Sequence, residues 1–139
     1  MSEFYIDSNP DGDAGASSIL PSTDSYLNNY IKKEVKINVP SITLCDFMTN
    51  NNLDKIDFLW LDVEGFEYYI LNSSTNILNK INYIYTEVNF QMFRKDGKLY
   101  NDIKSLLLEH NFIEVDKWEQ GAKWGEWQGN VLFKNVNYI

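Results

Sequence analysis

Apolar and polar positions divide the chain into short, distinct segments. Phe4-Tyr-Ile6 is a short strand candidate. Glu34-Val-Lys-Ile-Asn-Val39 alternates residue by residue, which predicts a half-exposed strand antiparallel to it, stopped by Pro40. Phe58-Leu-Trp-Leu61 is an unbroken apolar run instead, which suits a strand covered on both faces. Beyond its end Asp62 and Glu64 alternate with Val63, so the two carboxylates leave on one side, and Gly65 lets the backbone turn into a helix over Glu67 to Leu71. A second strand, Ile81 to Asn89, also ends in polar residues two apart, Glu87 and Asn89. Leu99, Ile103, Leu106 and Leu107 share one face of a helix running to His110. Thr43 followed by Asp46 approximates a capping box, opening a helix that ends in Asn50-Asn-Asn52. Asp24 to Lys33 reads as a short helix or an irregular segment, and Phe112-Ile-Glu-Val115 and Gly129 to Phe133 as two closing strands.

Strands that deliver acids to their C-terminal ends suit an open α/β sheet, whose ligands bind in the crevice there. The stretch Ile56-Asp-Phe-Leu-Trp-Leu-Asp-Val-Glu-Gly-Phe-Glu67, followed by Ile70-Leu71, then Ile84-Tyr-Thr-Glu87-Val88 and the Tyr100 to Phe112 segment, resembles the core of the FkbM-type methyltransferases. Ala16-Ser-Ser-Ile-Leu20 and Thr43-Leu-Cys-Asp46 resemble further segments of that family, with Cys45 in place of an Asp and Asn111 where the family tends to have Gly. The resemblance covers roughly residues 17–133. It implies an α/β fold: a partial Rossmann-like methyltransferase sheet, mostly parallel with an antiparallel last strand, and helices on both faces. It also implies transfer of the methyl of S-adenosylmethionine to a hydroxyl, on a sugar or another small-molecule acceptor. By that resemblance Asp62, Glu64 and Glu87 are the catalytic candidates, and Asp62, Ser17 and Ser18 the cofactor contacts. Two other readings stay open at these positions: Asp62 as a cap of the following helix, and the serines as turn residues bonded to their own backbone. Glu67 reads as a first-turn helix charge.

Upstream of Ile56 the sequence lacks the strand and glycine-rich loop that such an enzyme uses to approach its cofactor, and a second strand ending in an acid. Residues 1–139 therefore read as a single domain resembling the C-terminal two thirds of the family, truncated and inactive as it stands unless a homodimer or another chain supplies the missing half. A non-catalytic carbohydrate-binding or structural fragment is the alternative.

Composition narrows the partners. The 139 residues allow one core, no apolar run reaches the roughly 20 residues of a membrane span, the start has no signal-peptide pattern, and the lone Cys45 precludes a disulfide framework, so a cytoplasmic location is expected. A net charge of −8 opposes nucleic acid and anionic lipid as partners. Against it stands a local cluster, Arg94, Lys95 and Lys98, which is either a solvated turn around Asp96-Gly97 or a patch meeting an anionic group of the substrate. Trp118, Trp124 and Trp127 lie among Gly121, Gly125 and Gly129; they form core or a wall over a ligand, and stacking of Trp124 or Trp127 on a sugar ring is expected, with Asn89 and Arg94 completing the substrate side.

No His/Cys cluster has transition-metal spacing, and no metal is expected. His110 falls at a helix end, a capping position, and Cys45 reads as a buried structural thiol. Asp7, Asn9, Asp11, Gly12 and Asp13 imitate a calcium loop, but Ser18 stands where its bidentate Glu belongs and Pro10 interrupts it, so an acidic turn is the better reading.

Overall fold

Two sheets organise the computed structural model, which describes residues 1–8, 14–31, 33–119 and 127–138. The first is the antiparallel pair expected from alternation: β1 (Ser2–Asp7) against β2 (Glu34–Val39), with Tyr5 opposite Lys36. Between these strands Thr23 caps a single turn, α1 (Asp24–Tyr26), by accepting from Tyr26 N at 3.3 Å, and a π-type turn follows over Leu27–Ile31. The capping box also forms. Thr43 Oγ1 accepts from Asp46 N at 3.0 Å and donates to Asp46 Oδ2 at 2.8 Å, opening α2 (Leu44–Asn50).

The second sheet carries the chemistry. Its strands are β3 (Ile56–Leu61), β4 (Ile81–Asn89), β5 (Phe112–Glu119) and β6 (Gln128–Asn135), in the spatial order β3-β4-β6-β5. α3 (Glu67–Asn72) connects β3 to β4, and α4 (Tyr100–Glu109) connects β4 to β5. β3 and β4 are parallel, while the last strand, β6, runs antiparallel to both its neighbours as expected. By inserting between β4 and β5, however, β6 makes two of the three ladders antiparallel. The fold is thus a mixed α/β arrangement, not a mostly parallel sheet.

One face of this sheet holds the core. Leu61, Ile84, Val131 and Phe133 pack with Leu71 of α3, with Ile103 and Leu107 of α4, and with Phe112, every one of them 5% exposed or less. Burying each such side chain contributes about 1.5–3 kcal/mol before chain entropy is subtracted. The opposite face stays largely open: Phe58 is 54% and Trp60 67% exposed, with Ile113 and Trp118 also exposed. Tyr85 sits between Trp60 and Trp118, ring centroids 5.6 and 5.8 Å away. Two expectations are corrected here. Helices do not cover both faces among the described residues, and β3 is an edge strand buried on one face only. Phe58-Leu-Trp-Leu61 is apolar at every position, so its pattern could not reveal which side meets solvent. Among the described residues, no helix is long and apolar enough to cross a membrane.

Candidate functional site

The parallel register of β3 and β4 fixes where their acids emerge. Leu61 is the partner of Thr86, so the next residues along each strand, Asp62 and Glu87, leave the sheet side by side. The chain then reverses through two left-handed residues, Glu64 at φ +54° and Gly65 at φ +98°. Glu67 shapes that turn. Only 2% exposed, it accepts from Val63 N at 3.0 Å and Gly65 N at 3.3 Å, a more specific role than a first-turn charge. The reversal carries Glu64 back over the strand ends, and oxygens of Asp62, Glu64 and Glu87 come within 4.8 Å of one another. The three residues expected to be catalytic therefore converge.

Arg94 does not join an open cationic patch. It is 2% exposed, and its guanidinium faces inward. Nε donates to Glu64 O at 3.1 Å, Nη1 to Ser22 Oγ at 2.7 Å and Glu34 Oε1 at 3.3 Å, and Nη2 to Ala16 O and to Glu64 Oε2 at 3.4 Å. Its neighbour Lys95 pairs with Asp24 at the surface. In this structure Arg94, expected on the substrate side, anchors the turn that holds Glu64. Ser18 serves the same turn. It is 1% exposed, donates to Glu64 O at 2.9 Å and accepts from Leu20 N at 3.1 Å, so its hydroxyl faces the chain's own backbone. Ser17 Oγ accepts from Asp7 N at 3.1 Å. Both serines thus hydrogen-bond to the chain's own backbone, as turn residues do.

Burial dominates the electrostatics. The Glu87 carboxyl is pushed up to about 8, first by burial and then by the charges of Glu64, Asp62 and Glu67. Glu64 is also raised, burial outweighing the attraction of Arg94, and Glu67 is raised by burial despite its backbone hydrogen bonds. Glu87 Oε2 and Asn89 Oδ1 are buried without a hydrogen-bond partner among the described residues. A carboxyl titrating near neutrality, beside an open one at Asp62, can exchange a proton with a bound hydroxyl.

Beyond the end of β4 a small pocket of about 150 Å³ is lined by Tyr26, Asn29, Gln91, Phe93 and Trp127, among others. The Phe93 ring lies 5.0 Å from Tyr26 and 6.2 Å from Trp127. Tyr26 also packs on Arg94, 5.4 Å from its guanidinium carbon, and burial and Glu64 raise its hydroxyl pKa, so this pocket adjoins the carboxylates. Trp127 is where a ring-stacking residue was expected; Trp124 lies outside the described residues, and Trp118 belongs to β5 on the open face. A larger groove of about 740 Å³ between α2 and α3, lined by Thr43, Phe47, Phe66 and Ile70, contains none of Asp62, Glu64 and Glu87. Tyr26, Ser22 and Glu34 were invisible to sequence reasoning. Arg94 ties Ser22 and Glu34 to the site and packs against Tyr26, and these residues share no local spacing that would signal it.

His110 caps α4, its Nδ1 2.9 Å from Leu106 O, and Cys45 is a free, half-buried thiol. Of the calcium-like loop, Asp7 is buried at the end of β1, and residues 9–13 lie outside the described residues.

Comparison with known proteins agrees with the geometry. Residues 2–114 match the family model described as "Methyltransferase FkbM domain". The 2-O-methyltransferase NoeI of Sinorhizobium fredii (strain NBRC 101917 / NGR234) is 29% identical over 134 residues, covering 93% of this chain and 52% of that protein. The chain thus spans about half the length of the curated relative it matches. No solved structure gives a significant match.

Proposed function

The chain belongs to the FkbM methyltransferase family, and on that premise we propose that it carries the acceptor-activating part of an S-adenosylmethionine-dependent O-methyltransferase acting on a sugar or similar small hydroxyl compound. The observation that carries this reading is the convergence of Asp62, Glu64 and Glu87 within 4.8 Å at the ends of two parallel strands. When bound, S-adenosylmethionine supplies a methyl group on positively charged sulfur. The residues present fit that cationic end, since an exposed carboxylate at Asp62 stands beside the partly open Glu64. For the adenosine end the described residues offer no glycine-rich turn opening a helix. That half of the site is supplied elsewhere, by further sequence, another chain or a second copy, for which the open face of the sheet and the edge of β3, unpaired among the described residues, offer a surface.

On the acceptor side the roles divide simply. The oxygen that gains the methyl must lose its proton, and ionised Glu87, poised near the working pH, is placed to take it. Glu64 is held in position by Arg94 and Ser18, and Asp62 faces the crevice. The pocket of Tyr26, Phe93 and Trp127 is well below the roughly 300–1,000 Å³ of a whole-ligand cleft, and suits one edge of a hydroxylated ring stacked on an aromatic wall. The name of the relative, a 2-O-methyltransferase, favours a hydroxyl acceptor.

The test is calorimetric titration with S-adenosylhomocysteine of the chain together with the sequence or partner that completes its adenosine half, followed by mass spectrometry of a saccharide panel incubated with that assembly and S-adenosylmethionine. One-to-one binding, and a single methyl added to one saccharide but not by Asp62→Asn or Glu64→Gln, are expected. A folded assembly that binds saccharide but never the cofactor would overturn this reading in favour of a carbohydrate-binding fragment.

A further inference from the structure

The strand-end cluster contains only oxygen ligands, and two of its oxygens are buried without partners. We propose that Asp62, Glu64, Glu87 and Asn89 form a binding site for one hard divalent cation, of the magnesium or manganese type. The three carboxylates already stand within 4.8 Å of one another, so a single ion can touch all three after small side-chain rotations. Glu87 and Asn89 supply the independent observation. Each is only 6% exposed, yet Glu87 Oε2 and Asn89 Oδ1 accept no hydrogen bond from any described residue. A buried oxygen without a partner is costly, and a cation seated against Glu87 would supply that oxygen with one, with Asn89 two residues along the same strand in reach as a further ligand. The two residues alternate along β4, hence share its face, and the Asn89 amide lies against the turn, its Nδ2 4.0 Å from where a β-carbon on Gly65 would stand.

Ligand chemistry and charge select the ion. Carboxylate and amide oxygens without nitrogen or sulfur suit magnesium, manganese or calcium, not zinc or copper. Arg94 is shared between Glu34 and Glu64, so the trio keeps a net negative charge for a dication to neutralise. Preorganisation is also present. Glu87 and Asn89 sit on one strand, while Ser18, Glu67 and Arg94 pin the turn that carries Glu64. A search for His and Cys spacing could not detect such a site, because its ligands come from two strands and share no local motif. If the chain transfers methyl groups as proposed above, the ion would lie beside the acceptor oxygen and lower its pKa, and the proton would then pass to solvent or to a carboxylate oxygen not bound to the ion, in place of the free Glu87 carboxylate that serves when the site holds no ion. That role rests on the methyltransferase reading, whereas binding of the ion does not.

Titration with manganese(II), followed by loss of the free-ion electron paramagnetic resonance signal and run without cofactor or acceptor, tests the site separately from catalysis. About one ion per chain is expected, bound at least roughly tenfold more weakly by Glu87→Gln, Asn89→Leu and Asp62→Asn, and unchanged in the surface control Asp57→Asn. Asp62 is exposed, so its variant keeps the fold, as circular dichroism would verify. Manganese that stays free in the presence of folded chain would overturn the proposal. So would equal binding by wild type, Asp62→Asn and Glu87→Gln, which would place the ion elsewhere, as in the 7–13 loop.

Discussion

At Gly65 the backbone lies at φ +98°, and a β-carbon there would stand 2.8 Å from Arg94 Cγ. Gly65→Ala therefore meets strain and collision together. A loss of at least about 1–3 kcal/mol is expected in urea denaturation, and an unchanged midpoint would contradict this account of the turn. Glu87 gives a pH signature when the chain is kept in chelator. Its carboxyl rises from 4.5 to about 8 on folding, so the proton stabilises the folded state, fully below about pH 4.5, and that contribution is lost as pH rises through about 8. The groups around it, Asp62, Glu64, Glu67 and Arg94, remain in Glu87→Gln, which cannot ionise at this position. Calorimetry should find the variant's melting temperature gaining on wild type between about pH 5 and about pH 9; a constant gap would refute the shift. In sequence, the strand-end position of Glu87 was legible and its burial was not, because burial depends on how distant segments close over it. Asn111 shows the reverse: standing where the family tends to have Gly, it adopts φ +67°, the left-handed position after a helix that asparagine tolerates.

Among the elements, those with a local signal were readable. Alternation identified β2 and its pairing with β1, Thr43 and Asp46 marked the start of α2, and the 3.6-residue period marked α4. β3 misled because its core-facing and open residues are equally apolar, and the insertion of β6 beside β4 is a long-range pairing with no local trace. The two faces should differ sharply on substitution. Trp60→Thr, on the open side, is expected to cost under about 1 kcal/mol, against about 2–5 kcal/mol for Ile84→Ala in the fully buried core. Equal losses in denaturant would show that the open face is covered in solution.

For the molecule as a whole, Arg94 is the tie. It joins Ala16, Ser22, Glu34 and Glu64 across 30 to 78 residues of sequence. Sequence showed its charge but not its distant partners, hence its reading as part of a surface patch. Arg94→Met leaves two carboxylates without their counter-charge and should cost roughly 3–5 kcal/mol, with Arg94→Lys failing to restore it because an ammonium cannot reach the same forked set of acceptors. The tie also has a kinetic side. Contacts closing loops of this length form after the neighbouring pairs of β5 and β6 and of α4 and β5, once most of the entropy of closure has been met. In stopped-flow experiments Arg94→Met should accelerate unfolding and leave refolding nearly unchanged, whereas slower refolding would put Arg94 in the nucleus. The contacts by which Arg94 holds Glu64 over the crevice are then expected to close after those local pairs and to open before the sheet unfolds. They can come apart and close again while the sheet beneath them stays folded.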